Sequence, residues 1–384
     1  MTALTARVIM SRDLVDGIVP AWNTLLDDAA QVEVFSTPEW QLTWLDSFPG
    51  VSPRYVVMSD EAGCMRALLP LGVRTRRVGP FSLRALELGG EAVACGDHLG
   101  LIACPADAGD AWAASAPLVR SCAAEADFVR FASMDAEEAA AALAVTSMNP
   151  GWTACHPPDD VAPRMVLPPP TADVLGAFRS SRRAKLRYYE RQFASSHPSA
   201  SVALNDERMP LDDALDALDA LHASRWRQRG ETGVLADPAF MTFVRRFSRL
   251  AHERGWLRLY QLFVEDRVVA TLLTLHRRDV ASGWLLGWNP AFAKWNVSEL
   301  LWLHSVREAA REGLHTFDFL RGGEAYKFRF PVEPSPLLCR QWTVTARGRV
   351  AVGTALAGER VLASARRWRT RAHRVAQKLR RAPD

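Results

Sequence analysis

Apolar positions recur along this chain with the period of strands in some segments and the period of helices in others. In the first half they predict a short helix entered through Ser36-Thr37-Pro38-Glu39, which has the spacing of a capping box. A strand, a tight turn, a returning strand, a third strand, an alanine-rich helix and a last strand follow. The predicted bounds of these strands and this helix are 54–59, 65–73, 81–88, 109–126 and 127–134.

The second half repeats this order of elements. Three strands are predicted first, then an amphipathic helix, then a short apolar strand. Their predicted bounds are 257–264, 268–276, 280–288, 298–312 and 316–320. Sequence identity between the halves is slight, but the shared order indicates two related α/β units in tandem, each with a mixed sheet.

Three further segments connect and extend these units. Residues 156–170 are dense in proline, which disfavours helix and predicts a linker or an extended crossing segment. Two helices are predicted after it, a strongly basic one at 178–193 and another at 211–229 whose acids precede its arginines. Near the C-terminus, apolar residues three and four apart among many arginines predict a basic amphipathic helix over 360–381.

Composition narrows the class of protein. A chain of 384 residues is longer than a single hydrophobic core usually supports, so two domains are expected. Its 48% hydrophobic and 23% charged residues are ordinary for a soluble globular protein, and a net charge of +4 is too small to imply nucleic acid. The six cysteines form no CxxC pair, so no metal site is expected. The N-terminus is a poor signal peptide and no apolar run approaches the ~20 residues of a membrane span, so a cytoplasmic protein is expected.

The stretch from 268 to 330 carries the strongest functional signal. Its last apolar strand runs into Arg321-Gly322-Gly323-Glu324-Ala325-Tyr326-Lys327. A charged, glycine-bearing turn directly after a buried strand is where open α/β sheets place ligand chemistry. Four residues in or beside this turn are therefore candidate catalytic groups: Asp318, Glu324, Tyr326 and Lys327.

Each of the four has a chemical role and a structural alternative. Lys327 would neutralise charge on a carbonyl oxygen or hold an acidic group, unless it is a surface lysine at a strand edge. Tyr326 would protonate a leaving group, or pack with its hydroxyl at the rim. Glu324 is a candidate general base or an exposed turn residue. Asp318 lies in an apolar strand and needs a partner, so it would bind Lys327, Arg321 or a substrate amine, or fix the turn after it.

Four stretches of the chain together resemble the BioF2-like acetyltransferase branch of the GNAT superfamily, which includes CelD-like proteins and is related to the FemABX peptidyltransferases. These stretches are Phe35–Trp40, Phe178–Arg187, Gly287–Ala293 and Asp318–Lys327. The resemblance implies GNAT-like domains at 1–165 and 171–332, with the active site in the second, followed at 333–384 by a returning strand and the basic helix. It also implies transfer of an acyl group from a thioester or ester donor, with acyl-CoA expected, to an amine.

The resemblance places two groups of binding residues. Those expected to hold an anionic acceptor or phosphates, or to wall the groove, are Arg182, Arg183, Lys185, Arg187 and Trp288. Those expected to hold the donor are Lys294, Trp295, Asn296, Val297 and Ser298. The alternatives are a solvated cationic helix face and a tryptophan-rich core. Where relatives usually carry a glycine before the long helix, this chain reads Asn296-Val297-Ser298-Glu299, so Ser298 is expected to cap the helix and Glu299 to repel phosphates.

Histidines add one further candidate. Asp97-His98 falls where relatives often carry an Asp-His or Asp-Tyr pair, so it is an acid/base candidate. No ligand or triad spacing is found for His222, His252, His276, His304 and His315. The chain has no G-x-S-x-G elbow, so covalent serine catalysis is not expected.

Three functional hypotheses remain open. The main one is an N-acyltransferase in which a small-molecule, sugar or peptide amine attacks the donor directly. The second is an aminoacyl-tRNA-dependent transferase, as the FemABX relationship implies, which the basic helices and the missing loop glycine favour. The third is a non-catalytic envelope or exopolysaccharide assembly factor. In that case the C-terminal helix would lie on an anionic membrane or dock a partner instead of packing on the protein itself.

Overall fold

The computed structural model describes residues 4–29, 33–91, 96–146, 149, 151–228 and 230–355. Its α-helices are α1 Arg12–Gly17, α2 Val19–Asp28, α3 Pro38–Ser47, α4 Ala108–Ala123, α5 Ala136–Thr146, α6 Ser180–Ser196, α7 Leu211–Arg227, α8 Pro238–Glu253 and α9 Val297–Arg311. Short 3-10 helices occupy Val34–Ser36, Val174–Ala177, Val234–Ala236, Pro290–Trp295 and Lys327–Arg329. The basic helix expected at 360–381 lies outside the described residues.

The strands form two sheets. They are β1 Thr5–Ile9, β2 Ser52–Pro53, β3 Tyr55–Ser59, β4 Met65–Leu69, β5 Leu71–Val78, β6 Phe81–Leu88, β7 Ile102–Ala103, β8 Phe128–Met134, β9 Thr153–Ala154, β10 Asp160–Val166, β11 Ser201–Ala203, β12 Leu257–Val264, β13 Arg267–Arg277, β14 Val280–Trp288, β15 Thr316–Asp318 and β16 Glu333–Thr343. The small sheet has the order β1-β3-β4-β7. The large sheet runs β11-β12-β13-β14-β15-β10-β16-β8-β6-β5-β2, with β9 beside β16. These mixed sheets and their helices confirm the expected α/β class.

The order of elements expected twice from the sequence is present twice. In the first half β5 and β6 form an antiparallel pair, and β6 then pairs in parallel with β8 after the crossover helix α4. In the second half β13 and β14 form the antiparallel pair, and β14 pairs in parallel with β15 after α9. Parallel neighbours need such a crossover, which here places one helix across each parallel pair.

Two strands join the halves into one sheet. β10 lies in the proline-rich segment and pairs with β15 on one side and β16 on the other, so the expected extended crossing segment is confirmed. β16 pairs with β10 through its first residues and with β8 through its last ones. The single strand expected at 65–73 is wrong. Pro70 lies between β4 and β5 and cannot donate a ladder hydrogen bond, so the strand is interrupted there. The two parts, β4 and β5, belong to different sheets.

Helix packing adds a contact between the halves that was not predicted from the sequence. Helix α8 was not expected, although it buries one apolar face that includes Phe243 and Phe247. The ring of Trp40 on α3 lies 4.8 Å from Phe243 and 4.7 Å from Phe247, in edge-to-face arrangement. The first residue of α3 is Pro38, and its N-cap is Thr37 in place of the expected Ser36. Within the described ranges, every helix is too short or too polar to cross a membrane.

Candidate active site

The parallel pair of the second half opens into a cleft at its carboxyl end. β14 and β15 pair only as far as Ser282 and Asp318. Beyond this point the chain turns toward β10, where the Phe319 amide donates to the carbonyl of Pro163 at 3.0 Å. β14 continues beside β13 to Trp288. Open α/β sheets bind ligands in such a crevice outside the carboxyl ends of parallel strands.

A β-bulge at Trp284 shapes this cleft. The pairing with β13 steps from Leu285 to Gly283, so Trp284 is the extra residue of the bulge. A bulge bends its strand and re-aims the side chains beside it. Gly283 also leaves room for the ring of Trp302 on α9, because a Cβ at 283 would lie 2.3 Å from that ring. The shape of the cleft therefore depends on the backbone at 283–284.

Two adjoining cavities occupy the cleft. One has a volume of about 330 Å³ and lies between α7, the end of β14 and the turn that follows β15. The other has a volume of about 270 Å³ and reaches the first turn of α9. The residues that line both cavities are Arg225, Leu286, Trp302 and Tyr326. Because they share these walls, we treat the two cavities as one groove.

Three of the four expected catalytic residues line this groove. They are Glu324, Tyr326 and Lys327. Burial raises the pKa of Tyr326 above its ordinary value, and the nearby Glu324 acts in the same direction. The phenol therefore keeps its proton at neutral pH and is able to donate it to a leaving group. The side chain of Glu324 is 56% exposed, so solvent reaches it.

The ammonium group of Lys327 is fully engaged within the protein. Its Nζ donates to the carbonyl oxygens of Leu320 at 2.9 Å and Arg321 at 2.7 Å, and lies 3.0 Å from Oε2 of Glu324. An ammonium group has three donors, and these contacts use all three. Lys327 is only 4% exposed, so the surface-lysine alternative is wrong. These contacts make it a clamp on the turn, and its expected role at a substrate carbonyl stays a prediction.

Asp318 is not in the groove with the other three. It is fully buried and, in place of the expected Lys327 or Arg321, it contacts two residues outside the turn. Its Oδ2 lies 2.9 Å from Nε2 of His98 and accepts a hydrogen bond from Nε of Arg164 at 2.7 Å. Burial acts to raise the pKa of Asp318, but His98 and Arg164 outweigh it and hold the pKa below its ordinary value.

A network of charged side chains, of which Asp135 is about half exposed, extends from Asp318 into the first half. Nδ1 of His98 lies 2.7 Å from Asp135, and Arg164 donates to Glu33 at 2.7 Å. Burial acts to lower the pKa of His98, but its hydrogen bonds to Asp135 and Asp318 outweigh that effect and raise the pKa to about 10. His98 is therefore an imidazolium whose two N–H groups both donate to carboxylates.

The same network contains a group with the spacing of metal ligands. One ligand atom each from Glu33, His98 and Asp318 lie within 4.8 Å of one another. Arg164 donates a hydrogen bond to each of the two carboxylates, and the two ring nitrogens of His98 lie against Asp318 and Asp135. Both carboxylates already have partners of opposite charge or hydrogen-bond donors within the protein. These residues therefore fit an ion-pair network better than a metal site.

Asp97 and His98 contact different residues and do not form the expected acid/base pair. Asp97 is 1% exposed and accepts a hydrogen bond from the backbone amide of Arg321 at 2.7 Å. Its carboxylate also lies 3.2 Å from Nε of Arg321. Burial raises the pKa of Asp97, while Arg321 and His98 oppose that effect. Both residues thus connect the first half to the chain that leads into the groove.

The start of α9 forms the other end of the groove. Asn296 has a left-handed φ of 55° and α9 begins at Val297, so Ser298 lies inside the helix and does not cap it. Glu299 is 6% exposed and forms an ion pair with Arg182 of α6. A second pair joins Glu299 to Nη1 of Arg329 at 3.5 Å. Two arginines therefore offset the charge that was expected to repel phosphates.

The remaining residues expected to bind substrate are dispersed. Trp288 lines the smaller cavity, and Arg182 reaches the start of α9 through its ion pair. Lys185 lies over the ring of Tyr189 at 5.6 Å, outside the residues that line the groove. Arg187 lies 3.4 Å from Asp173 at the surface, and Arg183 likewise does not line either cavity. The basic helix thus contacts the wall of the groove through Arg182, which binds Glu299 but lines neither cavity itself, and it exposes Lys185 and Arg187.

The expected donor-binding residues divide in a similar way. Asn296 and Ser298 line the smaller cavity, whereas Val297 is buried in the core. The ring of Trp295 lies under Nζ of Lys294 at 4.8 Å, outside the lining of the groove. Of the five expected donor-binding residues, Asn296 and Ser298 therefore face the cleft.

Sequence reasoning missed a histidine in the groove wall. Nε2 of His222 accepts a hydrogen bond from the indole N–H of Trp226 at 2.9 Å, and both residues line the larger cavity. Burial, aided by Arg225, lowers the pKa of His222 to about 4, so the ring is neutral at pH 7. The signal in the sequence was the i, i+4 spacing of His222 and Trp226 on one helix, which puts them on the same face.

Comparison with known proteins identifies the second unit: residues 180–328 match the model of the acetyltransferase (GNAT) domain. The chain therefore contains an acyltransferase domain of the GNAT type, and β14, α9 and the turn after β15 all lie within it. The finer resemblance to the BioF2-like branch stays a prediction. Among curated proteins, none matches this chain.

Solved structures support the fold of the whole chain. FemX superimposes with a TM-score of 0.58 at 10% identity, over 87% of this chain and 96% of that one. L-PGS from Bacillus licheniformis gives a TM-score of 0.52 at 12% identity, over 90% of this chain and 96% of that one. A tandem GNAT protein from the clavulanic acid biosynthesis pathway gives 0.51 at 13% identity, over 89% and 99%. At these identities the likeness shows the fold alone, which is that of two GNAT-like units.

Proposed function

We propose that this protein is an N-acyltransferase that moves an acyl group from a thioester, with acyl-CoA as the expected donor, to an amine. The observation that carries this proposal is the groove at the end of β14 and β15, with Tyr326 in the wall shared by its two cavities. Among the residues that the structure describes, β14 has no strand partner on this side beyond Ser282. Its unpaired backbone edge suits a ligand that carries amide groups.

The donor would enter at the α9 end of the groove. A helix N-terminus presents backbone N–H groups and a positive dipole end, which favour phosphates. Asn296 and Ser298 line the cavity at this end, and the carboxylate of Glu299 is offset by Arg182 and Arg329. A thioester that extends from here along β14 reaches Tyr326, because Tyr326 lines both cavities.

The proposed reaction needs no acyl-enzyme. The amine nitrogen attacks the thioester carbon, a C–N bond forms, and backbone N–H groups at the open edge of β14 stabilise the oxyanion. The C–S bond then breaks, and Tyr326 gives its proton to the departing thiolate. The proton released by the amine passes to Glu324 or to water, and Tyr326 regains a proton from solvent. The products are an amide and a free thiol.

Replacement of Tyr326 tests this assignment. We expect Tyr326→Phe to lower kcat about 100-fold or more, in the range of general acid catalysis, with the KM for the donor within threefold of wild type. The assay follows thiol release from acetyl-CoA in the presence of a panel of primary amines. Tyr188→Phe is the matched control, because Tyr188 is 52% exposed on α6. Equal kcat for Tyr326→Phe and wild type would remove Tyr326 from the chemistry.

A second candidate function is transfer from an aminoacyl-tRNA ester. The carboxylate of Glu299 belongs to the first turn of α9, beside the backbone amides that a pyrophosphate would bind. Helix α6 exposes Lys185 and Arg187, two cations that suit a phosphate backbone. Binding of a tRNA ester would weaken steeply with salt, because many counterions are released. Transfer from acyl-CoA that persists after RNase treatment rules this candidate out.

A further inference from the structure

We infer that Asp97 and His98, two adjacent residues of the first half, are positioning residues for the groove of the second half. Both lie outside the GNAT-matched segment at 180–328. They hold the chain between Asp318 and Arg321, from which the groove wall continues to Tyr326. The inference rests on the proposed function for its kinetic consequence, whereas its structural part stands on the contacts alone.

The segment that carries the pair is anchored in the first half. On one side the amide of Gly96 donates to the carbonyl of Gly90 at 3.2 Å, just beyond β6. On the other side the amide of Leu99 donates to the carbonyl of Ser133 on β8 at 2.9 Å. His98 has a φ of 52°, which a residue other than glycine holds only when its surroundings fix it. The pair therefore starts from a defined position on the first parallel pair of strands.

From this position the side chains of Asp97 and His98 contact nearby residues of the second half. Nε2 of His98 bonds to Asp318 at 2.9 Å, and Oδ1 of Asp318 in turn accepts the amide of Leu320 at 2.7 Å. Asp97 accepts the amide of Arg321 at 2.7 Å and forms an ion pair with its guanidinium. The short path from Asp318 to Arg321 is thus held by side chains of the other half.

The segment from Asp318 to Arg321 forms a strained turn, and this turn supports the part of the groove that contains Tyr326. Leu320 has a left-handed φ of 55°, so this turn also needs its surroundings to keep its shape. The carbonyls of Leu320 and Arg321 are the two that Lys327 binds. Since Tyr326 directly precedes Lys327, a shift of these carbonyls moves the proposed acid. A displacement of about 1 Å at a reacting group is enough to cost on the order of 100-fold in rate.

The charges around Asp97 and His98 explain why each side chain binds the segment at the turn and why the two do not bind each other. His98 faces the carboxylates of Asp135 and Asp318, with Glu33 and Arg164 beyond them. Asp97 is directed to Arg321 instead. Each buried charge has an opposite partner, so neither side chain is left to act as a free acid or base.

The experiment compares Asp97→Asn and His98→Gln with Glu125→Gln. Glu125 forms an ion pair with Arg54 at 2.8 Å inside the first half, so its replacement removes an ion pair of that half without touching the turn. Hydrogen exchange of the peptide that covers 318–327 is measured by mass spectrometry. Thiol release from acetyl-CoA is measured for the same preparations. His98 and Asp97 contact different residues of the segment 318–321. The experiment is therefore decisive even if only one of the two variants folds.

We expect exchange of the 318–327 peptide to rise at least 10-fold in either variant and to stay unchanged in Glu125→Gln. We also expect kcat to fall at least 10-fold with the KM for the donor within threefold, because the α9 end of the groove is untouched. Unchanged exchange would overturn the inference, as would faster exchange with wild-type kcat. If wild type releases no thiol from any donor, the proposed function fails, while the exchange result still decides whether the first half holds the turn.

Discussion

Replacement of Lys327 by methionine separates a clamp on the turn from a group that acts on substrate. The change keeps the length of the side chain but removes the ammonium group that donates to Leu320 and Arg321. A hydrogen bond from a charged donor contributes about 1.5–3 kcal/mol, and two are lost in a site where Lys327 is 4% exposed. The pair with Glu324 adds little, since that carboxylate is largely solvated. We therefore expect the free energy of unfolding to fall by about 3–5 kcal/mol.

Urea unfolding followed by tryptophan fluorescence measures this loss, and thiol release measures the effect on transfer. Glu324→Gln is the matched variant for stability, because it removes only the exposed partner and should cost less than about 1 kcal/mol. We expect Lys327→Met to lower kcat at least 10-fold through the displaced Tyr326. Wild-type stability in Lys327→Met would refute the clamp. Activity within a few-fold of wild type would remove Lys327 from the mechanism altogether.

Three further outcomes follow from the geometry. Glu299→Gln removes the one acid in the first turn of α9, so CoA should bind about 5-fold more tightly by calorimetry, a gain of about 1 kcal/mol; weaker binding would contradict the donor placement. Folding raises the pKa of His98 from 6.5 to about 10, so its contribution to stability is complete below pH 6.5 and is lost as pH rises through 10. Urea unfolding of wild type should therefore show lower stability at pH 10 than at pH 7, with a smaller difference in His98→Gln. Gly283→Ala should displace the ring of Trp302 and lower kcat without abolishing folding, and an unchanged kcat would show that the close approach of Trp302 to position 283 does not set the shape of the groove.

Local signals in the sequence were enough to predict most elements. The hairpin β12–β13 and the strand β14 are marked by short polar turns between apolar runs, and such turns depend only on neighbouring residues. The crossover helix α9 has an apolar face at helical spacing, so its bounds were predicted to within one residue. The turn that carries Tyr326 and Lys327 was predicted as the functional centre, because a glycine-bearing charged turn after a buried strand is a local pattern too.

Contacts between distant residues were not predictable in the same way. Asp318 was expected to bind Lys327, Arg321 or a substrate amine, or to fix the turn after it. It does accept the amide of Leu320, but its charged partners His98 and Arg164 come from segments 220 and 154 residues earlier in the chain. The place of β16, which pairs with both halves, follows from tertiary packing and not from its own pattern. Glu299 illustrates the same limit, since its effect at the start of α9 depends on an arginine of α6 that no sequence spacing connects to it.

Blocking the groove tests most directly whether acyl transfer takes place there. Leu286 lies where the two cavities meet, and Leu286→Trp would fill that space. Leu14→Trp is the control, because Leu14 is 59% exposed on α1. Thiol release from acetyl-CoA should be lost in Leu286→Trp, with an unfolding midpoint close to that of wild type, and retained in Leu14→Trp. Wild-type transfer by a folded Leu286→Trp would contradict the assignment of the groove as the active site.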